Sequence, residues 1–598
     1  MPWILPAAGC LLLAAATLSC APAVVHADPA HQIEHIVVIY QENHSFDNLY
    51  GGWGEVGGQR VNGLPATSLA AQVAQDGSPL SCLYQVDVNL TSPDPLPTTC
   101  TDSAHPATQG TPATPQTVHS AFVNQPWLID DNIPATAATC SRSAEVSDVR
   151  NGTGVPGGCT QDLVHRFYQV QYQIDGGKQD RYVTGSDAVG LVMGHYDTTR
   201  LPIYAYLHGT DAPGYVIADN FFQGSFGGSF LSHQMLVAAQ APIFAGADHS
   251  GQTMGCATGT AQCDRHSVVD VNGMPASYPY YTPPAGAVVQ DQELTEAADA
   301  SGRCAPSFAG AVPAPAGTLC GDYAVNTIQP FTQPYAPGTK VGKRLPLLHS
   351  ANIGDSLSAH GVSWIWYSGG WDNATGNNGR DATHPLGAGW TAGPTGTATG
   401  SCAGPVAKDA VFPYCPAPLF QYHHQPLGYF AGYADGTPGR AQHLADEQKF
   451  LHDVARPGGL PAVSVVKPIG AENEHPGYAS EPHGSSHLVE LIRAIVNGPN
   501  AKHTMIIVTY DDFGGQWDHV SPPGTPGNPG PHDALGPGSR LPALILAPGI
   551  TPGVDHTQHD TTSILATIEH RFRLPPLTGP DGRPTRDAQV TDLFTAWR

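Results

Sequence analysis

The feature that most constrains this chain is a set of short, nearly continuous apolar runs, rich in β-branched residues and interleaved with helical patterns. The first is HIVVIY at 35–40, and similar runs fall at 215–218, 362–367, 462–466, 505–510 and 543–546. A strand that is apolar on both sides has to be covered on both faces. Between the runs, Leu488, Leu491, Ile492 and Ile495 recur at helical spacing behind a candidate cap at Ser486. Ile564, Leu565, Ile568 and Phe572 do the same behind Asp560 and stop before Pro575. Strands alternating with helices predict an α/β fold, a mostly parallel sheet sandwiched by helices.

Composition narrows the class further. The chain has 598 residues, and its 26 Lys+Arg against 50 Asp+Glu give a net charge of −24 with no basic face to neutralise a phosphate backbone. Nucleic acid is therefore not expected as a partner. Neither a coiled coil nor a repeat array fits 68 Gly and 56 Pro, which instead imply many turns and long loops. The stretches near 60–160 and 245–345 show no periodicity and read as loop insertions on one domain spanning 28–598. Residues 1–27 read as a signal peptide, although no Lys or Arg precedes its apolar run, so the mature chain is expected to be periplasmic or secreted. Thr17-Leu18-Ser19-Cys20 is an imperfect lipoprotein site that leaves anchoring through Cys20 as an alternative. No later segment approaches the ~20 apolar residues of a transmembrane span.

Ligands of open α/β sheets collect beyond the carboxyl ends of the strands, so polar residues that follow an apolar run are the ones to inspect. Gln41-Glu42-Asn43-His44-Ser45 follows the first run, and its carboxylate and amide could serve chemistry or cap a helix. After the 215–218 run comes Asp219-Asn220-Phe221-Phe222, and then Gly227-Gly228-Ser229, where two glycines allow a sharp turn and a helix start favours an anion. Ser229 is thus either a nucleophile or a plain N-cap. After the 505–510 run, Asp511 and Asp512 are adjacent carboxylates that repel unless a cation sits between them, or else they belong to a tight turn. His165, His424 and His475 stand in loop-like surroundings, where a single histidine is no evidence by itself.

Together these segments resemble the bacterial phosphoesterase family of acid phosphatases and non-specific phospholipases C, a branch of the alkaline-phosphatase-like superfamily. The resemblance rests on HIVVIYQENHSFDNLYG at 35–51, DNFFQGSFGGSFLSHQ at 219–234 and YDDFGGQWDHVSPP at 510–523, in that order, with GSRLPALILAPG at 538–549 extending it. It implies an alkaline-phosphatase-like sheet and one divalent metal ion bordered by Glu42, Asn43, Asp511 and Asp512. It also implies a nucleophile at Ser229 and a phosphate surrounded by Asn43, His165, His424 and His475. Phospholipases C of the family carry Thr in a Gly-Pro-Thr stretch where this chain has Gly228-Ser229, and they often continue into C-terminal β-domains where this chain ends at Arg598. Both departures point to the acid phosphatase branch.

The expected activity is therefore hydrolysis of a small phosphate monoester through a phosphoseryl intermediate on Ser229, with His475 as the acid for the leaving oxygen. The oxygen-rich ligand set suits Mg²⁺, Ca²⁺ or Mn²⁺, and carboxylates also accept Zn²⁺. A phospholipase C, which would meet membrane lipid, is the first alternative, and a catalytically silent exported binding protein is the second. Sulfate-ester hydrolysis is disfavoured because no C-x-P-x-R or S-x-P-x-R pattern surrounds Ser229.

Removing Cys10 and Cys20 with the leader leaves ten of the 12 cysteines, in five neighbouring couples: Cys82/Cys100, Cys140/Cys159, Cys256/Cys263, Cys304/Cys320 and Cys402/Cys415. No C-x-x-C favours zinc, so local disulfides are expected in an oxidising compartment. Mass spectrometry of an unreduced digest should return these five cross-links; free thiols or links between couples would refute the pairing.

Overall fold

The computed structural model describes residues 29–65, most of 69–85, residue 100, 120–140, 155–242 apart from 187, 322–325, 346–375 and 420–597, with two further strands at 294–298 and 304–306. Its centre is an eight-stranded sheet. In chain order the strands are β1 (His35–Gln41), β2 (Tyr215–Ala218), β3 (Trp364–Ser368), β4 (Leu444–Asp446), β5 (Val463–Lys467), β6 (Thr504–Tyr510), β7 (Ala543–Leu546) and β8 (Gly553–Asp555). Across the sheet they run β4-β3-β5-β1-β6-β7-β2-β8. Every neighbouring pair is parallel except those made by β7, which runs against the rest. All six apolar runs became strands of this sheet, which gives the expected mostly parallel α/β architecture.

The two strands not expected, β4 and β8, are three-residue edges, too short to carry a period of two. The central strands are buried along nearly their whole length, as the continuous apolar runs require.

The helix over 481–496, here α3, starts earlier than its apolar pattern suggests. Its cap is Ser480, whose Oγ accepts from the His483 N–H, while Ser486 lies inside the helix and donates to the Pro482 carbonyl at 2.6 Å. The first turns face a polar segment: a Cβ at Gly484 would sit 2.5 Å from Glu474 Cγ. Apolar spacing therefore begins only at Leu488. The helix at 562–572, α4, starts just after Asp560, whose Oδ1 accepts from the Thr562 N–H at 2.6 Å, and ends at Arg573 in the left-handed region.

Disulfides join Cys82 to Cys100 and Cys140 to Cys159, as the spacing predicts. The side chains of the other three couples, the leader with Cys20, and much of the two insertions lie outside the described residues. No helix among the described residues is long and apolar enough to cross a membrane.

Two buried cations tie the carboxyl end of the sheet together. Arg540 donates to Asp47 Oδ1 at 2.9 Å, to Asp518 Oδ1 at 3.1 Å, and to the carbonyls of Asn62 and Asp219 at 2.7 and 2.9 Å. His44 has Nδ1 2.5 Å from Asn48 Oδ1 and Nε2 3.1 Å from Glu481 Oε1 and 2.9 Å from the Glu474 carbonyl. Burial alone would lower its pKa, but Glu481 and Glu474 outweigh burial and raise it to about 9.

A raised folded-state pKa means that the charged ring contributes stability fully below its ordinary 6.5, and that this is lost as pH rises through about 9. The interval corresponds to roughly 3 kcal/mol. The urea-unfolding penalty of His44→Gln should therefore be larger at pH 6 than at pH 10 by an amount of that order; a penalty independent of pH would show that the ring is neutral in the fold.

Candidate active site

The site forms where neighbouring parallel strands end. Gln41 is in register with Tyr510, so Glu42 and Asn43 leave β1 directly beside Asp511 and Asp512 leaving β6, and the Asp511 N–H donates to the Gln41 carbonyl at 3.1 Å. On the other side of β1, β5 ends in Lys467, whose Nζ lies 2.7 Å from Glu42 Oε1. Asn43 adopts φ 59°, and a Cβ at Gly514 would come within 2.3 Å of its carbonyl oxygen, so this close crossing needs glycine there.

Ser229 is the first residue of the buried helix α1 (Ser229–Ala238). The N-cap is Gly228, so the cap reading of Ser229 fails: its Oγ instead donates to Asp512 Oδ2 at 3.0 Å. Gly227 before it has φ 95°, the left-handed geometry that lets the turn close. Asp512 divides its oxygens, since Oδ1 accepts from the Gly514 N–H at 2.7 Å. The turn reading of this segment thus describes one oxygen and the site the other.

The three expected histidines come to the same place. Asn43 Nδ2 donates to His475 Nε2 at 2.9 Å and lies 3.4 Å from His165 Nε2, which in turn is 3.8 Å from Asp512 Oδ2. His424 Nε2 lies against Glu42 Oε1, and its ring stacks on His233 at 5.0 Å between centroids. Every residue expected at the site is thus within one connected cluster.

Two members of that cluster were not anticipated. His233, one turn after Ser229, donates from Nδ1 to the Ser229 carbonyl at 2.7 Å, which leaves Nε2 buried without a hydrogen-bond partner among the described residues. Its spacing of four from Ser229 on a helix was a usable signal. Lys467 is the charged residue after an apolar run, the same pattern that drew attention to Glu42 and Asp511.

Charge explains why a cation belongs here. Burial would push Glu42 up, but His424 and Lys467 hold it well below the usual carboxylate range. Burial, Asp512 and Glu42 together push Asp511 well up, while burial pushes Asp512 up to about 8 against the pull of the Gly514 N–H, with Glu42 adding to it. The protein alone therefore under-neutralises its own carboxylates. Among the described residues Asn43 Oδ1 and His233 Nε2 are buried without a hydrogen-bond partner, and ligating atoms of Glu42, His233 and His424 lie within 4.8 Å of one another. The residues fit a divalent ion. The expected oxygen set is joined by imidazole nitrogens, which admits Zn²⁺ or Mn²⁺ as readily as Mg²⁺ or Ca²⁺.

A mostly parallel α/β sheet that presents carboxylates, an amide, histidines and a helix-borne serine at its strand ends has the parts of a hydrolase acting on ester bonds. The profile of the phosphoesterase family matches residues 33–575, and the chain belongs to that family. It is 36% identical over 167 residues to phospholipase C B of Mycobacterium tuberculosis, covering 25% of this chain and 31% of that protein. It is 29% identical over 152 residues to non-specific phospholipase C6 of Arabidopsis thaliana (21% and 29% covered) and 28% identical over 214 residues to non-hemolytic phospholipase C of Burkholderia pseudomallei (29% and 30%). The aligned stretch thus spans less than a third of each of these relatives. A likeness to the crystal structure of a protein in the alkaline phosphatase superfamily from Vibrio parahaemolyticus is weak, with a TM-score of 0.19 and 11% identity over 40% of this chain and 50% of that one.

Because Asp512 holds its proton to about pH 8 without an ion, loading a divalent ion at pH 7 should release at least one proton, measurable by pH-stat titration. Asp512→Ala should lose the tightly bound ion. A metal stoichiometry no lower in that variant than in the wild type would place the ion elsewhere.

Proposed function

We propose that this chain is an exported, metal-dependent phosphoesterase that works through Ser229, and that its substrate is the headgroup phosphodiester of a phospholipid. The observation that carries the first part is Ser229 Oγ, at the first turn of a buried helix and bonded to Asp512 among Glu42, Asn43 and Asp511. A divalent ion held by Glu42, Asn43, Asp511 and Asp512 would supply the positive charge that steadies the phosphoryl oxygens and lowers the proton affinity of the Ser229 hydroxyl. The two disulfides support export, to the periplasm or beyond it.

In this reading Asp512 Oδ2 orients the Ser229 hydroxyl, the hydroxyl proton would be lost to solvent as the site loads, and Oγ attacks phosphorus while the bond to the leaving oxygen breaks. Asn43 Nδ2 is placed to donate to a phosphoryl oxygen in exchange for His475 Nε2. His475 donates from Nδ1 to the Pro476 carbonyl, and burial lowers its pKa to about 4 although Glu42 opposes the shift. The ring is therefore neutral in the empty site; an anion facing Nε2 would raise its proton affinity, and a proton taken up there would be the one offered to the leaving oxygen. Water then cleaves the phosphoserine with the roles reversed.

The substrate class is supported by the relatives' names, all three phospholipases C. Hydrolysis of a monoester, the acid phosphatase reading, is favoured by serine rather than threonine at position 229. Phosphatidylcholine vesicles and a panel of monoesters separate the two, since the first reading releases phosphocholine and the second inorganic phosphate. Release of phosphate alone would reverse the preference.

Ser229→Ala should lower turnover by several orders of magnitude while thermal stability changes by less than ~1 kcal/mol, since no cap is lost. Acid quench of the wild type during turnover should trap a phosphorylated peptide containing Ser229. An active Ser229→Ala protein would defeat the covalent route.

A further inference from the structure

Outside the site just described, a second group of ligating side chains converges from three separate elements. Glu447 opens the helix α2 (Glu447–Val454) immediately beyond the carboxyl end of β4, Glu472 lies between β5 and α3, and His487 sits in the second turn of α3. His487 Nε2 is 2.6 Å from Glu447 Oε1 and 3.8 Å from Glu472 Oε2, and His487 Nδ1 is 3.8 Å from the exposed Glu490. The ligating atoms of Glu447, Glu472 and His487 all lie within 4.8 Å of one another.

The second observation concerns the far oxygen of Glu447. The side chain is 1% exposed, and Oε2 is buried with no hydrogen-bond partner among the described residues. Leaving a buried carboxylate oxygen unpaired is costly. A cation drawn into the cluster would neutralise the Glu447 and Glu472 carboxylates at once. Glu472 is 22% exposed and His487 12%, so the cluster is open to solvent on one side and an ion has a way in.

We propose that Glu447, Glu472 and His487 form a second divalent-cation site, distinct from the one at Glu42, for an ion of the Zn²⁺ type. One imidazole with two carboxylates is a ligand set for zinc or a neighbouring transition ion and a poor one for Ca²⁺, which takes six or more oxygens. Ligands ~2.0–2.1 Å from a tetrahedral ion stand roughly 3.3 Å apart. The separations of 2.6 and 3.8 Å from Nε2 bracket that figure, so small rotamer changes close the site. Glu472 precedes Asn473, whose carbonyl accepts from the Glu42 N–H at 2.9 Å, so the ion would brace the segment that carries His475. The site stands on its own geometry and is independent of the proposed substrate.

The test uses the full chain, dialysed against Zn²⁺ and then analysed for bound metal and thermal stability. Glu472→Gln and His487→Asn should each bind one ion fewer than the wild type, and the same decrement should appear when Glu472→Gln is added to Asp512→Ala. Zn²⁺ should raise the Tm of Asp512→Ala, which keeps only the second site, but not that of the double variant carrying Asp512→Ala and Glu472→Gln. Glu472 is partly exposed, so its replacement carries the test even if changes at the buried Glu447 prevent folding. Equal stoichiometry in Glu472→Gln and wild type, with the same Zn²⁺-dependent rise in Tm in Asp512→Ala and the double variant, would reduce the cluster to an ion-pair network and overturn the proposal.

Discussion

The structure depends on the parallel register of β1 against β6. That pairing sets Glu42 beside Asp511 and Asp512, and it does so in the middle of a sheet where water is excluded. Buried carboxylates at such spacing repel, and the fold answers with Lys467 at the end of β5, with histidines around Glu42, and with room for an ion. The tight geometry that follows is visible in the backbone: Asn43 and Glu474 both hold positive φ, and each is crossed by a glycine, Gly514 and Gly484, at a distance no side chain would allow. The strain sits at the two residues that lead into the site.

Much of this was legible before any coordinates, because fully buried strands write themselves as continuous apolar runs and the site lies where those runs stop. That rule singled out Glu42, Asn43, Asp511 and Asp512, the resemblance to the phosphoesterase family gave them roles, and Lys467 obeys the rule too but was passed over. Ser229 needed more than its flanking glycines: capping and nucleophile readings differ by one helical position, and only the structure assigns the cap to Gly228. His233 faces inward on a helix that is buried on every side, so no amphipathic pattern marked its orientation. The edge strands β4 and β8 were too short for periodicity, and the start of α3 was hidden because its first turns pack against polar Glu474 instead of the apolar core.

The disulfides and the buried cations act at different places. Cys82–Cys100 and Cys140–Cys159 lie in the first insertion and link residues close in sequence. Arg540 and His44 instead join segments from the beginning and end of the chain beneath the carboxyl ends of the strands. Both cations are held by more than one acceptor, so losing either leaves buried anions without a partner.

The central position of β1 also dictates the order in which the molecule can assemble. Its two neighbours, β5 and β6, come from residues 463–467 and 504–510, so the strand at the amino terminus has no partner until nearly the whole chain is present. Contacts of such long sequence separation make folding slow. They also mean that Glu42, Ser229 and Asp512 cannot meet while the chain is incomplete: the site closes only once everything from β1 to β6 is present.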